Sequence, residues 1–276
     1  YDNPDNKSIG SSFTWSFQLM INHTLFLTRH FSLNLGAGYF HYSNGHTQLP
    51  NLGLNSVLVS LSAKFYPRPL RDEYFLDYDK PVLEKTKQLF ISARSGIGFN
   101  ELGGPGSDFE RIKKIIYTVS IGGGIIFKRV IKVSVGLTYN YYSHYYNYIT
   151  TYQLRNFVEK PVVNSSNVYV YAGCEFLIGH VGLDSEIGVN LYKPFYKEQS
   201  RLFEDDNQFK YWLKKTFVTR LGLKLYALNT SNNPKNNLFL GVHINANFLQ
   251  ADFSGLSLGY VHRFKKTGKR KKSIAF

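Results

Sequence analysis

The feature that most constrains this chain is a two-residue alternation of apolar and polar side chains that returns along most of its length. Phe13, Trp15, Phe17, Leu19 and Ile21 share one parity, and Ser12, Thr14, Ser16 and Gln18 hold the other. Phe31, Leu33, Leu35, Ala37 and Tyr39 alternate with Ser32, Asn34, Gly36 and Gly38. Val57, Val59, Leu61, Ala63 and Phe65 oppose Ser56, Ser60, Ser62 and Lys64. Successive side chains of a β-strand point to opposite faces, so this period is that of a sheet with one apolar and one polar face. The pattern recurs around 89–99, 115–127, 131–142, 167–177, 182–192, 216–227, 238–249 and 254–264, which predicts about eleven strands. Many approach the roughly ten residues that a tilted strand needs to cross a bilayer.

The polar parity decides between water and lipid as the outer solvent. It carries Lys64, Arg94, Lys132, Glu175, Asp184, Glu186, Arg220, Lys224, His243 and Arg263 among Gly, Ser and Asn. A soluble barrel or sandwich hides its apolar face, whereas a membrane barrel turns that face to lipid and keeps polar groups in its lumen. Long strands and charges of both signs on one face favour the membrane barrel, with ion pairs across a plugged interior rather than an open pore. The fold expected is all-β: an antiparallel transmembrane outer-membrane β-barrel, one domain over residues 1–264, followed by a basic tail at 265–276.

Loop lengths orient it. Short turns at 28–30, 128–130 and 179–180 suit the periplasmic side, and the longer loops at 43–54, 100–112, 146–164 and 193–212 the outside. Two places depart from this alternation: a long stretch at 67–87 on the periplasmic side, and a tight outer turn at 250–253. Single-chain bacterial barrels have even strand numbers. The chain opens at Tyr1 with neither a Met nor a signal peptide, so one further strand is expected before it, giving twelve. Tyr139, Tyr141, Tyr142, Tyr145, Tyr146 and Tyr148 read as an aromatic girdle at the outer membrane interface.

Composition narrows the partners. The 276 residues include 33 Lys and Arg against 19 Asp and Glu, a net charge of +14, and a single Cys, Cys174. One Cys excludes an intrachain disulfide framework and a Cys-ligated zinc module. The basic residues are scattered apart from the terminal tail, so nucleic acid is not expected; anionic lipid or lipopolysaccharide is. The histidines show no ligand spacing such as His-Glu-x-x-His, and no metal is expected.

Chemistry concentrates at 41–55. No Asp, Glu, Lys or Arg occurs from His30 through Ala63. Counting from Phe31 puts His41 and Ser43 on the apolar, outward parity, and counting back from Phe65 puts Asn55 there too. Polar groups on a lipid face are costly unless paired or interfacial. A serine hydroxyl needs a base within reach, and two residues apart on one strand face are roughly 6.5–7 Å between Cα atoms, close enough for imidazole and hydroxyl to meet. The expected site is therefore Ser43 as nucleophile, His41 as base and Asn55 as the group that holds the imidazole, with Asn44 and Gly45 as oxyanion donors.

The segment His41-Tyr42-Ser43-Asn44, followed by Gln48-x-Pro50-Asn51-x-Gly53, resembles the signature of outer-membrane lipid A 3-O-deacylases, the PagL-type acyloxyacyl hydrolases. The resemblance implies a serine esterase that removes an acyl chain from lipid A in the outer leaflet, with His41 and Ser43 as base and nucleophile on the outer barrel wall and no cofactor. That family usually carries Glu where this chain has Asn55. The segment is also similar to outer-membrane phospholipase A, a twelve-stranded barrel with His-x-Ser-Asn-Gly and a later Asn. That second resemblance implies calcium and a homodimer, although the phospholipase has Arg after the Gly and this chain has His46. The Gln-x-Pro-Asn-x-Gly stretch favours the deacylase over the phospholipase and over the remaining alternative, a non-catalytic outer-membrane barrel.

Overall fold

The computed structural model describes residues 9–12, 14–48, 51–74, 86–101, 113–204 and 206–264. The tail at 265–276, most of the 67–87 and 100–112 stretches, and Leu49 and Pro50 lie outside the described residues. Among the described residues, eleven strands occur where the alternation predicts them: β1 (Trp15–Leu27), β2 (Phe31–Ser43), β3 (Leu54–Phe65), β4 (Lys87–Glu101), β5 (Lys113–Phe127), β6 (Ile131–Tyr142), β7 (Ser166–Ile178), β8 (Val181–Tyr192), β9 (Phe217–Tyr226), β10 (Asn236–Asn247) and β11 (Gln250–Arg263). Four helices interrupt the longer loops: α1 (Ser143–Thr151), α2 (Pro161–Asn164), α3 (Tyr196–Phe203) and α4 (Gln208–Thr216). Among the described residues, no helix is long and apolar enough to cross a membrane.

The expected twelve-stranded closure is corrected to eight. Strands β4 to β11 form a closed antiparallel barrel, and β1-β2-β3 form a separate three-stranded sheet. Closure comes from β11 pairing with β4, from Ser254 opposite Phe99 to Arg263 opposite Phe90. That pairing takes the edge of β4 which a single larger barrel would have given to β3. Tyr66 still donates to the His30 carbonyl at 2.8 Å, but Pro67 and Pro69 come next, and proline cannot donate to a ladder, so the regular strand ends there. Eight is even, as in single-chain bacterial barrels. Packing divides the chain into two units, residues 1–44 with 48–83 and residues 45–47 with 84–276, where one barrel domain over 1–264 is the expectation from sequence.

The barrel is polar inside and apolar outside, the arrangement of a transmembrane barrel. Ile121, Val135, Leu223 and Leu240 are exposed, whereas Lys132, Glu175, Asp184, Glu186, Arg220 and Lys224 are buried. The buried charges form one chain of contacts. Arg94 grips Glu186 with two N–H groups, one at 2.7 Å, and Arg220 reaches Glu186 at 3.1 Å and Asp184 at 2.6 Å. Lys224 lies 2.8 Å from Asp184 and 2.9 Å from Glu175, and Lys132 lies 2.9 Å from Glu175. Tyr226 donates to the other Glu175 oxygen at 2.5 Å. Mixed charge on the polar parity thus fills the lumen. Lys64, placed with that set by parity, sits instead on β3, which is not a strand of the barrel.

The tyrosine girdle also needs correction. Tyr139 ends on the apolar exterior, but β6 stops at Tyr142 and the chain continues as α1. Tyr142, Tyr145 and Tyr148 then recur every three residues, which is a helical spacing. They are buried against Ile116, Ile149, Phe195 and Phe253. These rings close one end of the barrel rather than ringing its outside.

Candidate functional site

The candidate site lies on the β1-β2-β3 sheet. In its register His41 stands directly opposite Asn55 on β3 and opposite Phe17 on β1, while Ser43 stands opposite Trp15. Directly opposed residues of an antiparallel pair share a face. Trp15, Phe17, His41, Ser43 and Asn55 are therefore together, as the parity of β2 and β3 predicts for the last three. The same face continues through Leu19, Tyr39 and Val57, then Ile21, Ala37 and Val59, an apolar strip in which Ile21, Val57 and Val59 are largely exposed.

The three polar side chains are joined. His41 Nε2 lies 2.9 Å from Ser43 Oγ, and His41 Nδ1 lies 2.6 Å from Asn55 Oδ1. A carboxamide oxygen can only accept, so Nδ1 carries the hydrogen and Nε2 presents its lone pair to the Ser43 hydroxyl. This is the tautomer that general-base activation of a serine requires. Tyr39 OH donates to the same Asn55 oxygen at 2.6 Å. Two donors on one oxygen fix which way the amide faces, and so fix the imidazole. Tyr39 is legible in sequence only as a wall residue; its role follows from its place two residues before His41 on the same face. Tyr39→Phe is expected to lower turnover about 2- to 10-fold at unchanged KM, the worth of one hydrogen bond. Steady-state kinetics of fatty-acid release would check this.

The loop after β2 shapes the nucleophile's surroundings. The Asn44 backbone N–H donates to Asn51 Oδ1 at 3.0 Å, and its side-chain amide donates to the Gln48 carbonyl at 2.5 Å. These donors tie the loop together around Asn44. Gly45 has φ 60°, a left-handed conformation that glycine adopts without steric penalty. Gly53 has φ +67°, and a Cβ there would stand 3.3 Å from the Tyr42 carbonyl oxygen, 3.5 Å from Ser43 Cβ and 3.7 Å from His41 Cε1. Ser43 is only 3 % exposed, although parity puts it on one face with exposed Asn55. Gly53→Ala is expected to destabilise by about 1–2 kcal/mol through the left-handed backbone alone, and to slow catalysis by crowding Ser43. A urea midpoint and a rate measured on the same variant would show both.

Among the described residues, no group of three or more His, Cys, Asp or Glu is placed to hold a metal ion. Fold and site together define a chain with an outer-membrane-type β-barrel and, on a separate sheet, a serine hydrogen-bonded to an oriented histidine. Residues 1–64, which contain all three polar side chains, match the family model of lipid A 3-O-deacylase (PagL), so the resemblance read from the His41–Gly53 segment holds over that stretch. No curated protein matches the chain. Among solved structures, Neisserial surface protein A is 13 % identical, with 65 % of this chain and all of that one covered at a TM-score of 0.32. The outer membrane channel DcaP of Acinetobacter baumannii is 11 % identical, with 90 % of this chain and 62 % of that one covered, and OccD3 of Pseudomonas aeruginosa is 10 % identical, with 90 % and 68 % covered; both have a TM-score of 0.21.

Proposed function

We propose that this chain is an outer-membrane serine esterase that removes an ester-linked acyl chain from lipid A in the outer leaflet. The observation that carries the proposal is the relay Ser43 Oγ, His41 Nε2, His41 Nδ1, Asn55 Oδ1, set on an apolar sheet face within the stretch that matches the deacylase family. Ser43 attacks the ester carbonyl as His41 takes its proton. The tetrahedral adduct collapses as His41 returns that proton to the departing sugar hydroxyl. Water, activated by His41, then releases the fatty acid from Ser43. The apolar strip from Trp15 and Phe17 to Val59 would hold the acyl chain beside the nucleophile. The oxyanion roles expected of Asn44 and Gly45 belong to this proposal. No step uses a metal.

One observation favours a second reading. Asn55, rather than a carboxylate, holds His41, and that is the third member found in outer-membrane phospholipase A, which acts on glycerophospholipids. The test gives the purified protein both substrates in mixed micelles, with and without calcium, and follows products by mass spectrometry. Lipid A that loses one acyl chain supports the deacylase. Lysophospholipid with intact lipid A supports the second reading, and no release from either ends the hydrolase proposal.

A further inference from the structure

Helix α4 offers an exposed surface that the catalytic proposal does not use. It carries Lys210, Lys214 and Lys215, and no acidic residue. Its two sides differ. Tyr211 stacks on Tyr196 with ring centres 5.9 Å apart, and Lys214 pairs with Glu204 at 3.0 Å and with Asp206, so this side is held by the preceding segment. Phe209 and Trp212, three residues apart and therefore on one helical face, are 67 % and 52 % exposed. Lys210 and Lys215 flank that face, are exposed, and form no ion pair with another described residue.

What covers this face follows from where α4 leads. The helix runs directly into β9, and the Trp212 ring meets that of Phe217, the first residue of β9, edge to face at 5.6 Å. Phe217 heads the outward row of β9, which continues through exposed Leu221, Leu223 and Leu225. Apart from Thr219, the apolar exterior of the barrel thus extends onto Phe209 and Trp212, with Lys210 and Lys215 beside it; Lys210 feels the Asp206 carboxylate and Lys215 lies 5.7 Å from the Tyr211 ring centre, and neither is ion-paired within the described residues. Aromatic residues at the edge of an apolar belt, flanked by lysines, suit the headgroup level of a membrane.

We propose that α4 lies in the membrane interface and collects phosphate-bearing lipids of the outer leaflet, Phe209 and Trp212 entering the acyl boundary and Lys210 and Lys215 taking the phosphates. This rests on the barrel being membrane-embedded, not on the hydrolase reading. The chain has two Trp, so a Trp15→Phe protein reports from Trp212 alone. It is reconstituted into vesicles of brominated phosphatidylcholine, then into vesicles where unbrominated lipid A replaces part of that lipid. The expected result is blue-shifted, strongly quenched Trp212 emission, with lipid A relieving quenching beyond its mole fraction. Lys210→Gln and Lys215→Gln should each weaken that preference about fivefold. Water-like, unquenched emission would overturn the placement. Quenching that lipid A relieves only in proportion, or that ignores both lysines, would overturn the recognition of phosphate. Because the readout is local to Trp212, neither result depends on whether Ser43 is catalytic.

Discussion

Ser43→Ala is expected to cut fatty-acid release from lipid A by at least ~10³-fold while leaving the protein folded. The hydroxyl is the only atom of the relay that forms a bond to the substrate, and without it His41 has nothing to activate at 2.9 Å. The loss of one buried oxygen leaves β2 and its pairing with β1 and β3 untouched, so the urea midpoint should barely move. His41→Ala should cost a similar factor, and the double variant should be little worse than either, because groups that act as one unit are not additive. Asn55→Ala should cost less, about 10- to 100-fold, since it removes a hydrogen bond that orients the base rather than the base itself. Near-normal turnover by Ser43→Ala, or costs that multiply in the double variant, would sink the relay.

The grouping of His41, Ser43 and Asn55 was legible because a strand has a strict period. Two residues of one strand and one of its neighbour share a face by parity, provided the hairpin is in register, and the register sets His41 opposite Asn55. The partners brought in by β1 were not legible, because the offset between β1 and β2 leaves no mark in either strand alone. Trp15 and Phe17 come to Ser43 and His41 only through that pairing. Strand number was legible; closure was not. An alternating strand looks the same whether its edge goes to its neighbour in sequence or to a strand far along the chain, and β4 pairs with β11. The tyrosines at 142, 145 and 148 misled for a related reason. Within an alternating region their spacing of three passes for irregular alternation, until the chain turns helical at Ser143.

The largest expected stability effect lies in the barrel lumen, at Glu186. Its carboxylate takes two N–H groups of Arg94 and one of Arg220, with all three side chains nearly inaccessible. Four cations, Arg94, Lys132, Arg220 and Lys224, share three carboxylates, Glu175, Asp184 and Glu186. Within this cluster no carboxylate is spare. Glu186→Gln keeps the volume but leaves four cations to two carboxylates. Arg220 retains Asp184 at 2.6 Å, whereas Arg94 loses its direct ion pair and keeps the face of the Tyr171 ring, 5.3 Å away, and a longer-range attraction to Asp184. Removing one partner of a buried pair typically costs about 3–5 kcal/mol, most of it from the charge left behind. The variant should therefore unfold at clearly lower urea in detergent micelles, by roughly that amount. Replacing both partners, Arg94→Met with Glu186→Met, should recover much of the loss, because no uncompensated charge then remains. If instead the double variant is as unstable as Glu186→Gln, shape rather than charge balance holds this lumen together. Equal stability of Glu186→Gln and the wild type would mean that water reaches Arg94, and with it that the interior is wet enough to conduct.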